Sequence, residues 1–148
     1  MKTYVCGFMF SPDHRDVALI HKTKGPDCVL GKLNGIGGKV EREDYRDQGS
    51  AVIFAQIREF KEEAGVQTVE NQWRVFAKHT SERFVVYFLV GEWDNHLGLS
   101  ELRTMETEVV CWRELAYNQS NLAPNLNWLL KAAIAPETPT IVFSDNTP

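Results

Sequence analysis

The chain has 148 residues, enough for one compact domain with a single core, and its 43% apolar and 24% charged composition is ordinary for a globular protein. A net charge of -4 and a pI near 5.6 exclude a broad basic surface, and with it sequence-independent binding to duplex nucleic acid through phosphate contacts. Cys6, Cys28 and Cys111 are odd in number, widely spaced and without a C-x-x-C pair, which argues against a disulfide framework or a structural zinc site and points to a reducing cytoplasm.

The opening residues, MKTYVCGFMF, lack a cleavable-signal pattern, and no later run approaches the ~20 apolar residues of a membrane helix, so no membrane partner is expected. TYVCGFMF and VALIH are apolar, β-branched or aromatic runs separated by the turn-prone SPDHRD, which predicts a two-stranded hairpin. KTKGPDCVLGKLNGIGGKV then reads as a long loop. Residues 50–64, SAVIFAQIREFKEEA, read as a helix with Ser50 at its N-cap and Gly65 as its stop. WRVFAKHT and RFVVYFLVGEW are two further strands; after the loop DNHLGLSELRTME come a short strand, EVVCW, and a second helix, NLNWLLKAAIA. The tail PETPTIVFSDNTP reads as an extension in which Ile141 to Phe143 allow an edge strand. These elements predict an α/β fold with a mixed sheet, one domain over residues 1–135 and a C-terminal extension over 136–148.

The first helix carries the chemistry. At about 100° per residue, Ile53, Ile57, Phe60 and Ala64 share one arc and should face the sheet, while Glu59, Glu62 and Glu63 share another. The plain reading of those glutamates is the solvated face of an amphipathic helix. Three like charges at a helix C-terminus, however, oppose the macrodipole and repel one another, each effect costing a few tenths of a kcal/mol. A bound cation offsets both, and a hard ion such as Mg²⁺ takes carboxylate and carbonyl oxygens and brings substrate phosphates with it. Arg58 lies four residues before Glu62 and can pair with it.

Joined to the glycines upstream, the helix forms GGKVEREDYRDQGSAVIFAQIREFKEEAGV, which resembles the Nudix box: Gly, five residues, Glu, seven residues, then Arg-Glu-U-x-Glu-Glu-x-Gly-U, with U bulky and aliphatic. Gly38 matches the first glycine, and Arg58, Glu59, Phe60, Glu62, Glu63, Gly65 and Val66 match the second half in register. From Gly38 to Arg58 is twenty positions where the consensus has fourteen, so six residues are added before the helix. Counted forward from Gly38 the consensus Glu falls on Asp44, and counted back from Arg58 it falls on Ser50.

The resemblance implies the Nudix fold, a mixed β-sheet sandwiched between α-helices, and hydrolysis of a nucleoside diphosphate linked to another group. It places Glu59, Glu62 and Glu63 on Mg²⁺, or Mn²⁺, with the Gly37 carbonyl as a further ligand and either Glu106 or Glu108 completing the set. Arg58 would orient the carboxylates, and Glu59 or a neighbour, with Glu62, would serve catalysis by taking a proton from a water that the metal acidifies. GKLNGIGGKVE is also similar to the corresponding stretch of Nudix enzymes that remove oxidised purine nucleoside triphosphates, where the asparagine reads the base; that residue is Asn34 here, and an Asn-Gly turn is its other reading. The residue before it is Leu33 where an aromatic is common, and Pro124 and Asn125 stand where those enzymes use acidic residues. Lys22 and Lys39 are the basic candidates for phosphate or base, and Asn125 is a further substrate contact. The leading expectation is a Mg²⁺-dependent enzyme, a monomer or homodimer, releasing a nucleoside monophosphate and pyrophosphate in nucleotide-pool sanitation. The alternatives are an ADP-ribose or nucleotide-sugar pyrophosphatase and a non-catalytic nucleotide-binding module.

Overall fold

The computed structural model describes residues 1–116, 121–135 and 139–145. The central strand β1 (Lys2–Phe10) turns through Ser11, whose hydroxyl donates to Asp13 Oδ1 and accepts from the Asp16 N–H, into β2 (Asp16–His21). The expected hairpin is present but short, because only Met9↔Ala18 and Phe10↔Val17 are paired. Beyond them the strands part. The segment predicted as one long loop supplies two strands: β3 (Leu33–Asn34) pairs antiparallel with β2, and β4 (Ile36–Lys39) pairs antiparallel with β1 from Tyr4↔Lys39 to Gly7↔Ile36. Glycine has poor strand propensity, so composition conceals β4. Its Gly37 is required by close approach, since a Cβ there would lie 1.9 Å from the Val5 carbonyl oxygen.

On its other edge β1 runs parallel to β6 (Phe84–Glu92), which pairs antiparallel with β5 (Trp73–Thr80) across a bulge between Val75 and Ala77. β7 (Val110–Glu114) joins β2. The run for which the sequence allowed an edge strand forms β8 (Ile141–Ser144), parallel to β5. The described residues thus form an eight-stranded mixed sheet, ordered β3-β2-β1-β6-β5-β8 with β4 on β1 and β7 on β2. Residues 136–138 and 146–148 of the expected extension lie outside the described residues.

Two helices cover the two faces. The period-two alternation of β1 sends Val5 and Met9 to the face of α1 (Ala51–Ala64), and Cys6, Phe8 and Phe10 to the face of α2 (Leu126–Ala133). Ser50 caps α1 by accepting from the Ile53 N–H at 3.4 Å, and Gly65 ends it in the left-handed region at φ 77°. The expected inward arc is half right. Phe60 and Ala64 are buried against Val5, Leu89 and Trp73, but Ile53 and Ile57 are only partly covered. The central place goes to Gln56, wholly buried, whose amide donates to the Ile36 carbonyl at 2.9 Å over the gap that Gly7 leaves. A hydrophobic arc drawn from sequence does not anticipate a polar residue whose hydrogen bond ties helix to strand. Among the described residues no helix is long and apolar enough to cross a membrane.

Candidate active site

Arg58 organises the last turns of α1. Its Nε donates to Asp44 Oδ1 at 3.0 Å and its Nη2 to Asp44 Oδ2 at 2.9 Å, a two-pronged contact with a carboxylate whose side chain is only 3% exposed. Nη2 also donates to the Lys39 carbonyl at 3.0 Å, and Nη1 reaches Glu59 at 2.9 Å and Glu62 at 3.4 Å. Burial disfavours the Asp44 charge, but the bonds from Arg58 and from the Glu41 N–H outweigh it and hold the carboxyl below its usual range. Asp44 closes the short 3₁₀ turn Arg42–Asp44 that follows β4, so the spacing from Gly38 is kept. The six added residues are therefore 45–50, where Arg46 lies 4.0 Å over the Phe54 ring and Gly49, at φ 93°, turns the chain beside it. Asp44 thus stands in bonding reach of Arg58, an acid that the sequence marked only by its count from Gly38.

The expected carboxylates take different environments. Glu59 is 13% exposed in its side chain and lies against Gly38, where a Cβ would meet its Oε1 at 2.5 Å. Burial pushes its pKa up to about 7 against the pull of Arg58. Glu63 is pushed further, to about 8, by burial first and then by the charges of Glu59, Glu108 and Glu106, with Lys22 opposing. Its Oε2 is buried and has no hydrogen-bond partner among the described residues. Glu62 is half exposed and Glu106 exposed. Glu108 is committed elsewhere: it accepts from Lys22 Nζ at 3.0 Å and from the Thr23 and Lys24 N–H groups at 2.7 and 3.2 Å, which hold it ionised below its usual range although burial opposes this.

A cavity of about 660 Å³ opens beside Glu63. It exists because β1 and β2 part after Met9↔Ala18, so that Glu63 and Ile20 from the α1 side and Cys6, Val86 and Phe88 from the α2 side border one space. Of the residues predicted from sequence it brings together Lys22, Asn34, Gly37, Glu63 and Asn125. Asn34 Oδ1 accepts from the Gly35 N–H at 2.8 Å and from the Cys6 thiol at 3.5 Å, so its oxygen serves the turn while the residue still lines the cavity. Asn125, at φ 71° before α2, accepts from Trp128 Nε1 at 3.1 Å. Lys39 is exposed and outside the lining; its contribution is the carbonyl bound by Arg58. Burial in the cavity floor pushes the Cys6 thiol up to about 12, so it is inert as a nucleophile. Trp73 and Trp93 are buried, and none of the four tryptophans lines the cavity.

Among the described residues no three His, Cys, Asp or Glu side chains are already gathered closely enough to hold a metal ion, so the glutamates do not meet at one point as helical geometry alone suggested. The donor set nevertheless suits a hard divalent cation. Glu63 carries a buried oxygen with no partner among the described residues, the Glu59 charge is close enough to raise its pKa, and Gly37 and Gly38 border the same space.

No protein-family model matches the sequence, and no curated protein sequence matches it. Solved structures do. A MutT protein from work on Aliivibrio salmonicida and Vibrio cholerae aligns with TM-score 0.67 and 22% identity over 90% of this chain and 96% of its own. A NUDIX hydrolase from Nitrosomonas europaea aligns with TM-score 0.68 and 14% identity over 99% and 79%. The fold is the Nudix fold. An ADP-ribose pyrophosphatase from Streptococcus suis shares it at TM-score 0.61 and 20% identity, over 97% of this chain and 98% of that one.

Proposed function

We propose that this chain is a Nudix hydrolase that cleaves a nucleoside triphosphate, with water, to a nucleoside monophosphate and pyrophosphate. The observation that carries the reading is Glu63: a buried carboxylate oxygen without a partner among the described residues, at the end of a nucleotide-sized cavity and beside the glycine strand. The box motif, the fold and the MutT and NUDIX neighbours support it.

Glu59, Glu62 and Glu63, with the Gly37 carbonyl, are the residues that would hold Mg²⁺ or Mn²⁺, and Glu106 is a further carboxylate near them. When bound, the ion supplies charge neutralisation on phosphate oxygens and a more acidic water. The chain's own residues do the rest. Arg58, anchored on Asp44, fixes the orientation of Glu59 and Glu62. Burial raises the Glu59 pKa to about 7 in the metal-free chain, and Glu59 is the carboxylate proposed to take a proton from the attacking water. Lys22, though paired with Glu108, presents positive charge on the cavity wall where phosphates would lie. The amide groups of Asn34 and Asn125 border the same cavity and suit a base edge. The free thiols fit a reducing cytoplasm.

A second reading, hydrolysis of ADP-ribose, is favoured by the Streptococcus suis neighbour and uses the same carboxylates on the same type of linkage. Phosphorus NMR of products from normal and oxidised nucleoside triphosphates and ADP-ribose, with Mg²⁺ and with chelator, tests both. Monophosphate and pyrophosphate appearing only with Mg²⁺ is the expected result. Exclusive turnover of ADP-ribose selects the second reading, and saturable binding without turnover of any compound overturns both in favour of a binding module.

A further inference from the structure

The far end of the cavity holds a pair of polar side chains that none of the chemistry above uses. Sheet register defines the place: Lys39 on β4 faces Tyr4 on β1, which is in register with Val86 on β6, His79 on β5 and Phe143 on β8. Three strand spacings separate β4 from β5, about 14 Å, so His79 sits across the cavity from the glycine strand. Its ring stacks on Phe143 at 4.7 Å and 3° and meets the Phe84 edge at 5.7 Å, which fixes its plane. Nε2 lies 3.0 Å from Asp145 Oδ1, just beyond β8. The contact is close but is not a hydrogen bond, and Nε2 is buried without a hydrogen-bond partner among the described residues. Both residues line the cavity, next to the apolar floor of Phe84, Val86 and Phe88.

A pair serving only to fasten β8 to β5 would be aligned, because a buried nitrogen left without a hydrogen bond costs more than the bond contributes when made. Nε2 itself is covered, so the capacity open to the cavity is that of Asp145, whose side chain is 53% exposed and which His79 positions from behind. A carboxylate only accepts, so Asp145 selects a ligand group that donates. Resting on the hydrolase reading above, we infer that His79 and Asp145 form a specificity site at the distal end of the cavity, receiving a hydrogen-bond-donor group of the nucleotide while its phosphates lie toward Glu63. An amino group on the base and a ribose hydroxyl share that chemistry.

The test compares kcat/KM for GTP against ITP, which lacks the 2-amino group, for ATP against ITP, and for GTP against dGTP, in wild type, Asp145→Ala and His79→Phe. The second variant keeps the ring stack on Phe143 and removes both nitrogens. Wild type should prefer the donor-bearing member of at least one pair tenfold or more, and the first two comparisons separate a base amine from the ribose hydroxyl probed by the third. Both variants should bring that ratio close to one while the poorer substrate keeps its rate and the melting temperature stays within a few degrees. Ratios near one in wild type, or variants that slow all substrates equally, overturn the inference and leave the pair a structural fastening. If no triphosphate is turned over, the hydrolase reading fails separately; equilibrium binding of GTP, dGTP, ATP and ITP then decides, and equal affinities in wild type overturn the specificity site.

Discussion

The two ends of the cavity are built on opposite principles. At the glycine end, carboxyl groups are gathered at the cost of stability: Glu59 and Glu63 are partly buried with raised pKa values, and one Glu63 oxygen has no partner among the described residues. At the far end, Phe84, Val86 and Phe88 come from a regular strand of the sheet, and His79 is set by ring packing. In the proposed reading the first end takes a cation and phosphates; the second is a preformed apolar floor with a small polar group at its margin. The unpartnered carboxyl oxygen of Glu63 is what marks this end as the proposed reacting one.

The comparison breaks most readily at Glu63. Changing Glu63 to Gln should lower kcat by about 10²-fold or more, since losing a ligand forfeits part of the several kcal/mol that a bound metal supplies, without lowering the melting temperature of the metal-free protein. Full Mg²⁺-dependent turnover in that variant removes Glu63 from the site. Arg58 separates organisation from chemistry. Arg58→Ala leaves Asp44 buried without its cation, and denaturant unfolding should show a loss of about 3 kcal/mol. Arg58→Lys keeps the charge but loses the two-pronged contact, so it should recover only part of the stability. An unchanged unfolding midpoint in Arg58→Ala contradicts the central place given to the Asp44 contact.

The smallest effect is a slope with pH. The folded Glu63 has a pKa of about 8 against an ordinary 4.5, and Glu59 about 7. Both are protonated in the folded and unfolded chain below about 4.5, so they impose nothing there. As pH rises from 4.5 through 7 and 8 the unfolded chain ionises more readily, and the metal-free protein loses stability. Asp44 works the other way: its pKa is lowered, so its contribution is present above the ordinary carboxylate range and is lost as pH falls. Unfolding measured from pH 4.5 to 8.5 in chelator should therefore decline toward the alkaline side, and Glu63→Gln should flatten that decline. A wild-type curve that rises across this range contradicts the burial argument.

How much of this was legible in the sequence varies by physical cause. The α1 boundaries, its caps and the carboxylates follow from a 3.6-residue period and from Ser50 and Gly65, which act locally. β5, β6, β7 and the edge strand at Ile141 follow from runs of β-branched and aromatic residues. β3 and β4 do not, because their pairing depends on β1 and β2 diverging and on glycines that allow backbone approach, a tertiary cause with no local signal. Within the site, Asp44 was placed by counting from Gly38, yet its partnership with Arg58 rests on where the added residues loop out. The assignment of Glu108 to Lys22 and two backbone N–H groups required the meeting of segments 84 or more residues apart. The His79–Asp145 pair likewise depends on β8 docking beside β5, which no spacing in the sequence announces.

The most direct measurement is the thermal midpoint at pH 8 with chelator and with saturating Mg²⁺, for wild type and Glu63→Gln. The wild type should rise with Mg²⁺, since a ligand that binds only the folded state stabilises it, and the variant should not respond. An equal rise in both places the cation away from Glu63 and contradicts the site described.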